Sequence, residues 1–384
     1  MQFSSRYLIL GLSACLLMVH HGTAQTFVAT PSTVVFNQTV DSPGLPPAQT
    51  IQITSSSGNV PFVVSVVPAS SGGGPYPVFL SATPSSGTTP ATLTLSVLPT
   101  VLSWGYGGAG NYVAVSSSGS CSESSPCLSV VVSILLNLPP PPSVKSILNA
   151  SSLQSSIAPG TIVTIFGDHI GPRIPAFGQT YPVFGNPIQY FYPGLIGNSK
   201  VSFSGHAAPI LFANANQINA IVPYEVAGQS SVDVVVSHSL VAGPALTVPL
   251  LDTSPGVFTV TQNGAGQGAI LNQNGTLNST ENPAPAGSIV QIYASGAGLW
   301  TPNVATGLQL SPSPPFPVPA APVSVTIGGQ SAQLTYSGAA PGLISGMLQV
   351  NAIVPAGLSP GPQSVLLKVG RNSNSQQPVT ITVQ

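Results

Sequence analysis

Charge is what this chain has least of. Its 384 residues include 6 Lys and Arg and 7 Asp and Glu, 3% in all, against about 25% in an ordinary soluble domain. Six scattered cations cannot form a basic face that displaces counterions from phosphates, so nucleic acid is excluded as a partner. Solvated long helices and coiled coils need charged flanks, which are missing. Disorder driven by like charges is excluded as well.

Long apolar runs are also missing. Hydrophobic residues make up 43% and mean hydropathy is +0.40, yet they fall in short stretches broken by Pro, Gly, Ser and Thr. A membrane-spanning helix needs about 20 in succession, so no transmembrane anchor is expected in the mature chain. The 40 glycines and 41 prolines leave few uninterrupted helical windows. Cysteine is scarce, with 3 in all.

Residues 1–24 read as a cleavable signal peptide. Arg6 supplies the positive end, Leu8 to Val19 the apolar core, and Gly22-Thr23-Ala24 the small residues before the cut. The mature protein is therefore expected outside the cell or in the periplasm, in association with the cell surface. Lipidation at Cys15, within Leu12-Ser13-Ala14-Cys15, is the minor alternative. Signal removal leaves Cys121 and Cys127. An even pair in an exported chain predicts a disulfide across a hairpin tip. A metal site there would need further ligands that the neighbourhood lacks.

What is present is β pattern. Thr50 to Thr54, Thr92 to Val97 and Ser231 to Val236 alternate apolar with small polar residues and are rich in Val, Ile and Thr. Turn clusters separate them. The fold class predicted is all-β, with three tandem immunoglobulin-like β-sandwich domains after the signal peptide. The domains are 25–138, 144–252 and 253–384. Residues 139–143 (Pro139 to Pro142, then Ser143) form a Pro-rich, semi-rigid linker.

The last two domains repeat one another. Ala158-Pro159-Gly160-Thr161-Ile162-Val163 corresponds to Pro285-Ala286-Gly287-Ser288-Ile289-Val290. Gln217-Ile218-Asn219-Ala220-Ile221-Val222-Pro223 corresponds to Gln349-Val350-Asn351-Ala352-Ile353-Val354-Pro355. Asn274-Gly275, between two apolar stretches, predicts a hairpin with a type I′ turn.

These stretches carry a family resemblance. Ile147 to Ser152, Ala158 to Gly167, Gln217 to Pro223, Gly266 to Gly275 and Gln349 to Gly357 occur in order. By them, residues 146–384 resemble the uncharacterised C-terminal domain family of secreted acidobacterial proteins, and each half is similar to an IPT/TIG domain. Residues 26–138 resemble the BACON domain through Thr30 to Phe36 and Phe79 to Gly87. Phe79 stands where that family usually has Trp. The resemblances imply Ig-like sandwiches, and the BACON likeness implies carbohydrate binding. Neither implies catalysis.

The chemistry-bearing residues are sparse. There is no nucleophile elbow, no His-Glu-x-x-His, no calcium loop and no P-loop. Asp168-His169 follows a strand pattern and reads as a turn in which the carboxylate accepts backbone N–H groups. His206 and His238 are expected at loop tips, and nothing in their spacing gathers them with His169 around a metal. No cofactor and no catalytic or metal-binding residue is expected, so the chain is not expected to be an enzyme. Four Asn-x-Ser/Thr sequons begin at Asn37, Asn149, Asn274 and Asn278 and are expected unmodified in a bacterium.

Aromatics are the more specific feature. Phe177, Tyr181, Phe184, Tyr190, Phe191 and Tyr192 crowd into a Pro- and Gly-rich insertion of the middle domain. They are the candidate ligand-contact residues, with packing of the loop onto its own sandwich as the alternative. Trp104, Tyr106 and Tyr112 form a second aromatic, Gly-rich stretch, read as core packing or loop structure. The function expected is a secreted, non-catalytic binding or adhesion protein. Its partner would be an extracellular glycan, contacted through the aromatic loops, or a surface protein. The alternative is a structural spacer or self-assembling cell-envelope component.

Overall fold

Strands form where β-branched residues alternate with small polar ones, because one face can then bury while the other stays wet. The computed structural model describes residues 26–40, 42, 44–71, 74–75, 77–103, 107–118, 127–185, 187–373 and 378–384. Among them the fold is all-β, broken only by two short 3-10 turns, Pro99–Ser103 and Tyr224–Val226. No helix among the described residues is long and apolar enough to cross a membrane. The signal peptide, Cys15, Cys121, Trp104 and Tyr106 lie outside the described residues. So does the Cys121–Cys127 pairing, of which only Cys127 is described, directly before a strand.

The chain forms two compact units, residues 1–38 with 44–136, and residues 39–43 with 137–384. The first contains one sandwich. One sheet runs in the order Phe27–Thr30, Gln49–Ser55, Ala91–Val97, Leu80–Thr83. The other runs Thr33–Thr39, Leu128–Asn137, Gly107–Ser116, Pro61–Pro68, Ser86–Thr88. Alternation sends Phe36, Ile51, Ile53, Phe62, Leu93, Leu95 and Ile134 inward, all fully buried. On the outer face of the five-stranded sheet the same alternation leaves Val35, Val63, Val67, Tyr112 and Leu135 exposed.

The second unit contains two sandwiches with matching sheets. In the second sandwich, Ser143–Asn149, Ile162–Asp168, Gln217–Ile221, Ile210–Ala213 and Ala176–Phe177 form one sheet. It faces a sheet centred on Ser199–Phe203 and Ser231–His238. In the third, Gly256–Val257, Ile289–Ser295, Met347–Ile353 and Leu334–Ala339 face a sheet of Val379–Val383, Gly361–Val369 and Val323–Ile327. Each has its own core, one around Ile165, Phe203 and Val234, the other around Ile292, Val350 and Leu367. At the end of the proline run, Pro142 packs so closely on Gly243 that a Cβ there would overlap the Pro142 carbonyl oxygen.

The two sandwiches are joined by more than their connection. Ile162, Ile221 and Ile344 form an apolar seam with Leu211, Tyr192, Phe258 and Met347. The Asn149 side chain donates to the Ser254 carbonyl (2.8 Å), and the Ile162 N–H donates to Ser295 Oγ (2.8 Å).

The Asn274-Gly275 hairpin is present, with a different turn. Gly275 N–H donates to the Asn272 carbonyl, and Gly275 alone takes a positive φ, 79°. A type I′ turn needs positive φ at both central residues. Here a type I turn is followed by a glycine bulge, because the strands close on a three-residue loop.

Candidate functional site

Between Ile162–Asp168 and Ser199–Phe203 the aromatic insertion first adds Ala176–Phe177 as an edge strand beside Ile210–Ala213, then leaves the second sandwich. Prolines at 172, 175, 182, 187 and 193 deny it a helix and a long strand. What remains is a short hairpin, Tyr181–Val183 against Gln189–Phe191, with Pro182 opposite Tyr190. The third sandwich adds Leu308–Gln309 as the hairpin's third strand, with Tyr190 opposite Gln309.

The six predicted rings divide into two sets. Phe177 and Phe184 are 71% and 83% exposed, and Tyr181 and Tyr190 are 48% and 46% exposed. Ile174, Val183, Ile188 and Leu195 extend this apolar surface. Phe191 is half-buried. Tyr192 is packed into the seam, and its N–H donates to the Gly307 carbonyl (2.9 Å). Phe177 leans on Phe212 with ring centres 5.3 Å apart. Residues 174–199 contain no charged side chain. Such a surface offers ring faces and phenol hydroxyls, without charge, to whatever meets it.

The titratable groups do not converge. The Asp168 carboxylate takes a salt bridge from Lys145 (2.6 Å) and a hydrogen bond from the Asn216 amide, in place of the expected backbone N–H groups. The lysine holds that carboxyl below its ordinary pKa. His169 is exposed, at a φ of 56°. His206 is exposed beside the Ser204-Gly205 turn, as expected. His238 is not at a loop tip: it is 2% exposed, and its Nδ1 is hydrogen-bonded to Ser199 Oγ at 2.8 Å. It ends a strand whose inward set is Val232, Val234 and Val236, so the alternation carries it inside. Among the described residues, no three His, Cys, Asp or Glu side chains gather around a point.

One buried group was not singled out by the sequence. The Tyr224 hydroxyl donates to the Ser345 carbonyl (2.5 Å) and accepts from Trp300 Nε1 (2.7 Å). Burial pushes its pKa well above the ordinary phenol value, against the opposing pull of those bonds. Tyr224, Glu225, Leu299 and Trp300 line a cavity of about 320 Å³ between the two sandwiches of this unit. The signal available was a break in the repeat, Pro223-Tyr224-Glu225 against Pro355-Ala356-Gly357.

No protein-family model and no curated protein matches the chain. Among solved structures, the periplasmic chaperone SfaE is 9% identical, with the match covering 59% of this chain and 100% of that one at a TM-score of 0.23. The E. coli chaperone DraB is 12% identical over 59% of this chain and 99% of its own, at 0.22. A protein of unknown function from Porphyromonas gingivalis W83 is 11% identical over 58% and 97%, at 0.21. Scores this low carry no argument about function.

Proposed function

We propose that this protein is a secreted, non-catalytic binding protein that holds neutral extracellular polysaccharide on the aromatic hairpin. The observation that carries the reading is the exposure of Phe177, Tyr181, Phe184 and Tyr190 within residues 174–199, a stretch with no charged side chain. A self-packed loop would bury such rings, because each withdraws a large apolar area from water. Sugar rings present C–H faces that stack on aromatics and hydroxyls that bond to phenols. The bridge between Cys121 and Cys127 and export by the residue 1–24 signal belong to the same reading.

The test is retention on a polysaccharide by the Tyr181→Ala/Tyr190→Ala variant. Retention is expected to fall at least about tenfold with the melting temperature unchanged, since both rings are solvent-facing. Wild-type binding should hardly change with salt, because no ion pairs form. Full retention by the variant, or steep salt dependence of the wild type, would remove the hairpin as the site.

A second reading, self-assembly into an envelope component, draws on the first unit. The exposed Val35, Val63, Val67, Tyr112 and Leu135 make an uncharged apolar sheet face. Faces of this kind associate unless covered. Light scattering at rising concentration separates the readings: a steady monomer favours glycan binding alone.

A further inference from the structure

The outward residues of the repeat have no part in either core. Along Gln217–Ile221 the buried Ile218 and Ala220 face inward, and along Met347–Ile353 the buried Val350 and Ala352 do the same. Packing accounts for these. It does not account for Gln217 and Asn219, or for Gln349 and Asn351, which stand half-exposed on the opposite face. In both copies the Gln Nε2 donates to the Asn Oδ1 at 2.9 Å. Among the described residues, Gln Oε1 and Asn Nδ2 are then left facing outward without a protein partner in both.

Strand register surrounds each amide pair with rings. Phe166 stands opposite Gln217, and Phe212 opposite Asn219 on the other side. Tyr293 stands opposite Gln349, and Tyr336 opposite Asn351. One flanking ring in each copy meets a further ring: Phe177 on Phe212 at 5.3 Å, and Phe316 on Tyr336 at 6.1 Å. Tyr336 runs along its strand over Gly338, where a Cβ would press on its hydroxyl, and donates to the Ala339 carbonyl. The same constellation, an amide pair between aromatic rings, is thus built twice.

We propose that each of these outer sheet faces is a neutral-glycan platform, and that the two hold one polysaccharide chain bivalently. This rests on the glycan reading above and adds a second kind of contact to it. The occupant follows from charge. The adjoining charges in the second sandwich, Asp168 and Lys145, neutralise each other at 2.6 Å. In the third, the face positions named are all neutral. Amides bond paired hydroxyls as donor and acceptor together, and rings take the C–H faces between them. Among the amides and rings of the two faces a polyanion would find no counter-charge. The next outward residues on the second sandwich, Ile162 and Ile221, pack against Met347 and Phe258 of the third. The platforms are therefore fixed at one spacing, so the second contact forms at high effective concentration.

Affinity electrophoresis of the full chain tests this, in gels containing hydroxyethyl cellulose, xylan, laminarin or soluble starch, with carboxymethyl cellulose as the charged counterpart. The wild type is expected to be retarded by at least one neutral polymer and less by the charged one. Gln217→Ala/Asn219→Ala and Gln349→Ala/Asn351→Ala should each weaken retardation about 10- to 100-fold, the loss of bivalency. Each should still bind a short oligosaccharide of the same linkage, with one site fewer. Tyr336→Phe keeps the ring and should keep most of the binding. Asn351→Asp keeps the shape, adds charge and should weaken it, which guards against misfolding of the alanine variants. Wild-type retardation in both amide variants, with loss only in Tyr181→Ala/Tyr190→Ala, overturns the platforms and leaves the hairpin. Stronger retardation by carboxymethyl cellulose overturns the neutral class. No retardation of the wild type by any of the four neutral polymers overturns both readings.

Discussion

Tyr224 shows what a single side chain does at the junction of the two repeated sandwiches. Its hydroxyl takes the Trp300 N–H and gives its proton to the Ser345 carbonyl. Tyr224→Phe leaves both groups without that partner in a buried place, at about 1–3 kcal/mol for each group left unsatisfied. Thermal melting should fall by several degrees with no loss of secondary structure. The raised pKa carries a pH consequence with a definite sign. The folded state favours the neutral phenol, so this stabilisation is complete below the unfolded value of about 10. It is lost as pH climbs above that towards the higher folded value. Tyr224→Phe should therefore flatten the alkaline part of the stability profile, and an unchanged profile would argue against this role. None of this was legible locally, since the partners lie 76 and 121 positions away. His238 is the opposite case: continuing the inward alternation of Val232, Val234 and Val236 would have placed it in the core. Asn149 and Asn278 are likewise fully buried, their amides donating to the Ser254 and Thr382 carbonyls, so those two sequons are packing residues.

At the scale of elements, strands were easier to read than turns. Alternation of Val, Ile and Thr marks the strands of both units, because burial on one face is a property of the segment itself. Turn type depends on which residues close the loop, and Asn274-Gly275 could not reveal that. Two glycines separate backbone freedom from close approach. Gly275, at a φ of 79°, has open space where a Cβ would go. Gly275→Ala should cost about 1–2 kcal/mol, the steric penalty of left-handed backbone alone. Gly296 has a φ of 86°, and a Cβ there would overlap the Ser254 carbonyl oxygen. Gly296→Ala should cost far more and disturb the Ser254 segment where the two sandwiches meet. Urea unfolding of the two variants side by side checks the order, and equal costs would refute it.

At the scale of the molecule, the repeat disclosed two similar sandwiches but not how closely they are joined. The seam is built from Ile162, Ile221 and Ile344, each an ordinary strand or loop residue in the sequence. The aromatic hairpin was visible as composition, while the strand that completes it comes from more than a hundred residues further on. Calorimetry should therefore show the two sandwiches of the second unit melting in one transition. Gly296→Ala should lower amide protection in both of their cores, and separate melting of the two would count against a shared seam.

The pairing of Gln189–Phe191 with Leu308–Gln309 bears on how such a chain could have changed over time. A duplicated domain usually remains a portable part that can be shuffled, multiplied or lost. Here one copy extends a hairpin that the other copy completes, so neither is whole when excised. A gene carrying either sandwich alone would encode an open strand edge and an uncovered apolar seam, so the two copies are expected to be inherited as a pair.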